Sequence, residues 1–202
     1  MNEILLLFGL LQTTWLEIIS FLLAMAMVLL NIRQSAWAWL FAIASSALYA
    51  MVFYDARIYG DMALQFVFIA VSVWGLYQWL FGGPDHQGVA VSRLARRGWG
   101  LVAVTWLAAY ASIALLLHAF TDSDVVHIDA FLTAGSLVAQ FLLTRKTLES
   151  WHLWILIDSL YVGLYLYKHL YLTAGLYALF TVLAVLGLRV WKNFLAKQTA
   201  IS

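Results

Sequence analysis

One layout of landmark residues occurs twice in this chain, displaced by 112 positions and aligned without a gap. Arg33 and Arg145, Trp39 and Trp151, Tyr49 and Tyr161, Tyr59 and Tyr171, Gly75 and Gly187, and Trp79 and Trp191 are identical pairs, and Glu17 and Asp129 match in charge. Apolar pairs such as Ile43/Ile155, Leu48/Leu160 and Phe68/Phe180 fall between them. Apolar coincidences are common in a hydrophobic chain, but Trp, Tyr, Gly and Arg pairs at one constant offset are not. The pattern marks a tandem duplication of a unit of about 65 residues, and such a repeat constrains the architecture before any single element does. Positions at which the two copies diverge then become informative about function.

Composition supplies the solvent. Of 202 residues, 65% are hydrophobic and 10% charged, with a mean hydropathy of +0.91; soluble domains carry roughly 25% charged residues. A bilayer is the expected environment. One Pro and no Cys exclude a disulfide framework and thiolate metal sites. The net charge of +1 says little, because opposite signs can still be sorted in space.

Charged residues divide the chain into candidate spans, each to be set against the roughly 20 residues needed to cross the hydrocarbon core. Residues 18–32 lie between Glu17 and Arg33, which serve as interfacial anchors. Residues 34–54, 62–83 and 98–121 contain no charge. Residues 130–144 lie between Asp129 and Arg145, 150–167 contain the single acid Asp158, and 170–188 close the set. The expectation is an all-α integral membrane protein with seven transmembrane helices in one membrane domain. Residues 15–82 form the first three-helix repeat, 83–121 a cytoplasmic loop and linker helix, and 126–192 the second repeat. A three-helix unit starts and ends on opposite faces, so a linker helix returns the chain to its starting face. The units are then parallel repeats about an axis along the membrane normal. Pro84, in Gly82-Gly83-Pro84-Asp85, marks the end of the first.

Lys and Arg orient the whole. One side receives Arg33, Arg93, Arg96, Arg97, Arg145, Lys146, Arg189, Lys192 and Lys197; the other receives Arg57 and Lys168, which accounts for all 11 basic residues. The N-terminus is expected outside and the C-terminus in the cytoplasm. The outer loops collect Asp55, Asp61, Asp122, Asp124 and Asp129. The apolar run at 4–11 lacks the basic flank and small-residue cleavage site of a signal peptide. It reads as an interfacial segment or a forward extension of the first helix.

The copies differ most in the sixth helix. Trp151, Trp154, Asp158, Tyr161 and Tyr165 are three or four apart and form one stripe. The first copy reads Trp39, Ala42, Ser46, Tyr49 and Phe53, so Trp154 and Asp158 have no counterpart. In the fifth helix Thr133, Ser136 and Gln140 share a face where the first copy has Phe21, Ala24 and Val28. The second half thus acquired the polar chemistry, as expected of a ligand site specialised to one half. Asp158 lies about 12 Å from the cytoplasmic end of its helix at 1.5 Å per residue. An acid at that depth costs several kcal/mol unless it faces a cavity or a partner, which marks it as functional by default. The alternative is a packing role, bonded to a neighbouring Ser, Tyr or Gln.

Trp151 alone is also explained by the aromatic belt of the interface, whereas Trp154, a turn deeper, stacks on the face of Asp158. An aromatic wall beside a carboxylate suits a flat cationic ligand. Gln65 and Tyr177, at equivalent positions, are further candidates for a central cavity. Arg33 and Arg145 read as anchors, Trp79 and Trp191 as belt residues, and Gly75 and Gly187 as small residues for close helix contact. Glu17 and Asp129 complement helix dipoles. The five His show no ligand spacing, so no metal or cofactor is expected. A membrane enzyme would need converging nucleophile, base or metal ligands, and one intramembrane acid does not supply them.

Three-one-three parallel repeats resemble the SWEET-like architecture, and the chain resembles the PnuC family of vitamin-precursor transporters along nearly its whole length. The resemblance is carried by Trp151-x-x-Trp154 after Leu142-Leu-Thr-Arg-Lys146, by Leu164-Tyr-Leu-Tyr-Lys168 followed by Leu170-Tyr-Leu-Thr173, and by Gly187 with Trp191. In the first unit it is carried by Tyr54-Asp-Ala-Arg-Ile-Tyr59 and Gly75-Leu-Tyr-Gln-Trp79. It implies facilitated diffusion of nicotinamide riboside across a bacterial inner membrane, trapping by phosphorylation, a homotrimer, and substrate contact by Trp151 and Trp154. Relatives of this fold import thiamine, riboflavin or deoxynucleosides. Thiamine, cationic and heteroaromatic as well, is the alternative substrate, with riboflavin behind it. Small-molecule substrate and lipid are the expected partners, nucleic acid is not, and the site set is Trp151, Trp154, Asp158, Tyr161, Tyr165, Gln140, Ser136, Gln65 and Tyr177. With one intramembrane acid and no Pro inside a span, ion coupling is not expected.

Overall fold

Without water in a bilayer interior, backbone N–H and C=O groups must pair within their own segment, and the apolar runs fold as helices. In the computed structural model these are α1 (Trp15–Ile32), α2 (Trp37–Asp55), α3 (Tyr59–Phe81), α4 (Arg96–Phe120), α5 (Val126–Thr144), α6 (Glu149–Tyr167) and α7 (Tyr171–Ile201). The structure describes residues 4–7, 11–55, 59–83, 86–120, 125–169 and 171–201, with side chains over 18–55, 62–83, 86–120, 125–169, 171 and 173–198. Pro84, Asp85, Arg57, Asp122, Asp124 and the side chains of Glu17, Tyr59 and Asp61 lie outside the described residues.

Five helical stretches are long and apolar enough to cross a membrane: Trp37–Asp55, Met62–Phe81, Arg96–Phe120, Val126–Thr144 and Thr173–Gln198. Ile18–Ile32 is a shorter apolar helix, and α6, which carries Glu149, His152 and Asp158, is not among the five. Among the described residues the regular structure is helical apart from one small two-stranded sheet. There β1 (Ile4–Leu7) pairs antiparallel with β2 (Leu11–Thr14), Ile4 opposite Thr14 and Leu7 opposite Leu11. This replaces the forward extension of α1 that the apolar run allows: β-branched Thr13 and Thr14 favour extended backbone, and α1 begins only at Trp15.

The chain divides into two compact units, Met1–Gly88 and Val89–Ser202. In the first, α2 packs on both α1 and α3; in the second, α4 packs on α5, α5 on α6 and α6 on α7. The α1–α2 and α5–α6 turns share the backbone bonds of Gln34/Lys146, Ser35/Thr147, Ala38/Ser150 and Trp39/Trp151. Gln34 and Lys146 both take left-handed backbone, with φ 56° and 48°. Ser35 N–H donates to Leu30 O (2.9 Å) as Thr147 N–H donates to Leu142 O (3.1 Å). These 6→1 bonds satisfy carbonyls that a helix end leaves open.

The helix joints agree as closely. Trp39 and Trp79 meet edge-on at 5.5 Å and 86°, and Trp151 and Trp191 at 5.5 Å and 84°. A Cβ on Gly75 would lie 2.6 Å from the Trp39 ring, and one on Gly187 would lie 2.6 Å from the Trp151 ring. Each glycine is therefore a slot for an indole. Trp79 and Trp191 are not belt residues: they are 4% and 0% exposed, because each is the edge partner that closes its slot.

The second unit adds a fourth helix. Trp106 of α4 lies over Gly135 of α5, where a Cβ would come within 2.4 Å of its ring, and its Nε1–H donates to Phe131 O at 2.9 Å. Leu101, Val104, Leu115 and Phe120 point outward from α4, as a lipid-facing surface requires. At the α4 start, Ser92 N–H donates to Lys146 O (3.1 Å) and Leu148 N–H to Ser92 O (2.9 Å). Leu94 N–H donates to the Glu149 carboxylate at 2.8 Å, so the segment before α4 is fastened to the α5–α6 turn. Burial there holds the Lys146 ammonium below its usual pKa.

Candidate functional site

The site is built in the second unit, where α5, the most buried helix, presents Thr133, Ser136 and Gln140 toward α6. Ser136 and Gln140 are 7% and 5% exposed. Ser136 Oγ also donates back to Leu132 O at 2.9 Å, which satisfies its proton locally. From α6, the Tyr161 side chain comes up against those of Thr133 and Ser136. Tyr161 stacks on Tyr165 at 5.8 Å and 18°. Tyr177 of α7 closes on both, at 4.6 Å from Tyr161 and 5.1 Å from Tyr165. Three helices thus supply one three-ring cluster and the polar side chains beside it.

Asp158 lies one turn below Tyr161 on α6 and is 6% exposed. Its charge acts on Tyr177, and no cationic side chain pairs with it among the described residues. The neighbouring Ile157 is fully buried beside Leu132 in the α4–α5–α6 core, against which Trp154 and Tyr161 also pack. At the equivalent place in the first unit, Ser45 Oγ donates to Ser20 O at 2.9 Å. The same helix contact is thus a polar clasp in one copy and an apolar wall in the other.

Trp151 sits apart from the rings. It is 2% exposed, held in the Gly187 slot, and its Nε1–H is buried with no acceptor, as is that of Trp39. Equal geometry in both copies makes this the shared joint, with Trp154 one turn above it as the copy-specific addition. Gln65 lies in the first unit, half-buried on α3. Two contacts escaped sequence reasoning. His118 and His127 face each other at 5.5 Å, with the Tyr110 hydroxyl 3.0 Å from His127 Nδ1; the pair joins two helices, so no spacing along one helix announces it. Asp129 acts on Tyr161, and its position four residues before Thr133 was the available signal.

A family described as nicotinamide mononucleotide transporter matches residues 14–193. The chain belongs to this family. It is 27% identical to the riboflavin/roseoflavin transporter RibM of Streptomyces davaonensis, over 88% of this chain and 84% of that protein. It is 25% identical to the nicotinamide riboside transporter PnuC of Escherichia coli, over 89% of this chain and 86% of that protein. A crystal structure of the vitamin B3 transporter PnuC has the same fold, with a TM-score of 0.70 and 24% identity, over 91% of this chain and 83% of that one. The family places this chain among multi-pass membrane transporters for small molecules, and the paired turns and indole slots are the local geometry of that fold here.

Proposed function

We propose that the chain carries nicotinamide riboside across the bacterial inner membrane by facilitated diffusion, with phosphorylation by a separate enzyme trapping it inside. The observation that carries this is Asp158, a buried carboxylate with no cationic neighbour among the described residues, set beside Trp154 and the Tyr161–Tyr165–Tyr177 cluster. Nicotinamide riboside has a flat pyridinium ring whose positive charge is met by the carboxylate and by aromatic faces. Its carboxamide and ribose hydroxyls need donors and acceptors, which Ser136 and Gln140 supply. Trp151 positions Trp154 from below. Gln65 belongs to the first unit, and its part in binding rests on its sequence equivalence with Tyr177. The nine-to-two split of basic residues supports an outer N-terminus and a cytoplasmic C-terminus. The constant offset and the matched joints support seven crossings as parallel repeats, joined by α4. The resemblance supports a homotrimer that engages neither nucleic acid nor cofactor.

The likeness to a riboflavin transporter raises a neutral flavin as the second substrate, and thiamine is the other cationic choice. Calorimetry of the purified protein with all three ligands separates them. Nicotinamide riboside is expected to bind tightest and riboflavin weakest. Thiamine binding tighter than nicotinamide riboside, or riboflavin tighter than both, overturns the assignment.

A further inference from the structure

The polar stripe of α5 continues beyond the tyrosines. Asp129, Thr133, Ser136 and Gln140 are spaced at intervals of four, three and four, so they share one helix face over roughly 16 Å. Ser136 and Gln140 are buried, while Thr133 and Asp129 are half-buried or more exposed, so the stripe opens toward the start of the helix. Tyr161 meets Thr133 and Ser136 of this stripe, and the Asp129 carboxylate acts on it electrostatically. Asp158 acts on Tyr177. The three mutually contacting rings therefore lie within reach of two carboxylates, one from α5 and one from α6.

A helix-dipole role accounts for an acid at the start of α1 and of α5 alike. It does not account for the residues one, two and three turns deeper on the same face. Glu17 is succeeded there by Phe21, Ala24 and Val28, and Asp129 by Thr133, Ser136 and Gln140. Only the second acid is followed by polar side chains on its helix face, and these lie beside tyrosine rings, whose faces attract cations.

We propose that Asp129 is a second cation-binding station, an entry group that captures a positively charged heteroaromatic from the outer side and passes it along Tyr161, Tyr165 and Tyr177 to Asp158. This rests on the substrate class and orientation assigned above. A charge flanked by low-dielectric walls raises the local concentration of its counter-ion. Its contribution belongs to capture, and salt weakens it.

The test is initial uptake of nicotinamide riboside into proteoliposomes across a range of ionic strength. Asp129→Asn should raise KM about fivefold at low salt, leave the maximal rate within about twofold, and flatten the rise of KM with salt. Asp129→Glu should restore both KM and its salt dependence, which a merely structural acid would not require. If the Asn variant does not fold, Asp129→Ser provides the same neutral comparison with a side chain favoured at helix starts. Wild-type KM and salt dependence in the neutral variant overturn the entry station. So does an equal loss in the Glu variant, which would make the residue structural. A wild-type protein that does not bind nicotinamide riboside overturns the substrate assignment itself. Loss of binding in Asp158→Asn with none in Asp129→Asn overturns only the entry station.

Discussion

A buried carboxylate with no cationic neighbour is stabilised when a positive charge arrives, and at Asp158 the proposed arriving charge is the substrate's. Removing the acid should therefore separate stability from binding. Asp158→Asn keeps the size and removes the charge, so the thermal midpoint of the empty protein in detergent should hold or rise. Affinity for nicotinamide riboside should fall at least tens of fold, since cation–π and charge-assisted contacts are each worth up to about 2 kcal/mol. Ser46→Ala, at the equivalent half-buried position, should change binding little. Loss of folded protein in Asp158→Ala together with loss of transport in Ser46→Ala would make Asp158 a packing residue and move the ligand to the other half. The residue-scale chemistry was legible because a stripe repeats every three or four positions along one helix, and the duplication supplied a control sequence for each position.

At the scale of elements, the indole slots are where the sequence allows least change. A methyl added at Gly75 or Gly187 enters a tryptophan ring at 2.6 Å, closer than any relaxed contact. Overpacking of this kind costs about 1–3 kcal/mol, and each indole is also held edge-on by Trp79 or Trp191, one turn along the glycine's own helix. Gly75→Ala and Gly187→Ala should lower the thermal midpoint by similar amounts. A large loss in one and none in the other would mean that the two joints do not carry equal load. The pairing of the glycines and tryptophans was visible in the sequence, but which tryptophan fills the slot was not. Trp79 and Trp191 sit where belt residues also sit, and only their edge contacts with Trp39 and Trp151 distinguish rings held between helices from rings laid in lipid.

For the whole molecule, the distribution of charge decides what can drive transport. Ion-coupled carriers bring paired ionisable groups or broken helices to membrane depth. The one proline of this chain is Pro84, outside the apolar spans of the sequence, and Asp158 is the one acid at mid-span depth among them. Counterflow of labelled nicotinamide riboside in proteoliposomes should proceed with no ion gradient, at the same rate after proton or sodium gradients are collapsed. Strict dependence on either gradient would overturn the uncoupled carrier.

Sequence by itself determined the features that are local or repeated. Apolar length fixes the helices, since backbone pairing in lipid leaves no other solution. A constant offset fixes the duplication, and divergence between the copies fixes which half holds the polar chemistry. Tertiary structure alone decided the contacts between helices. The left-handed turn residues are Gln34 and Lys146, unlike each other and neither of them glycine, so no residue preference marks them. The Tyr161–Tyr177, His118–His127 and Trp106–Gly135 contacts join different helices, and the small sheet depends on pairing of Ile4–Leu7 with Leu11–Thr14. A helical period is set by the backbone within a few residues, but the ridge that meets a given groove is set by close packing of all the helices at once.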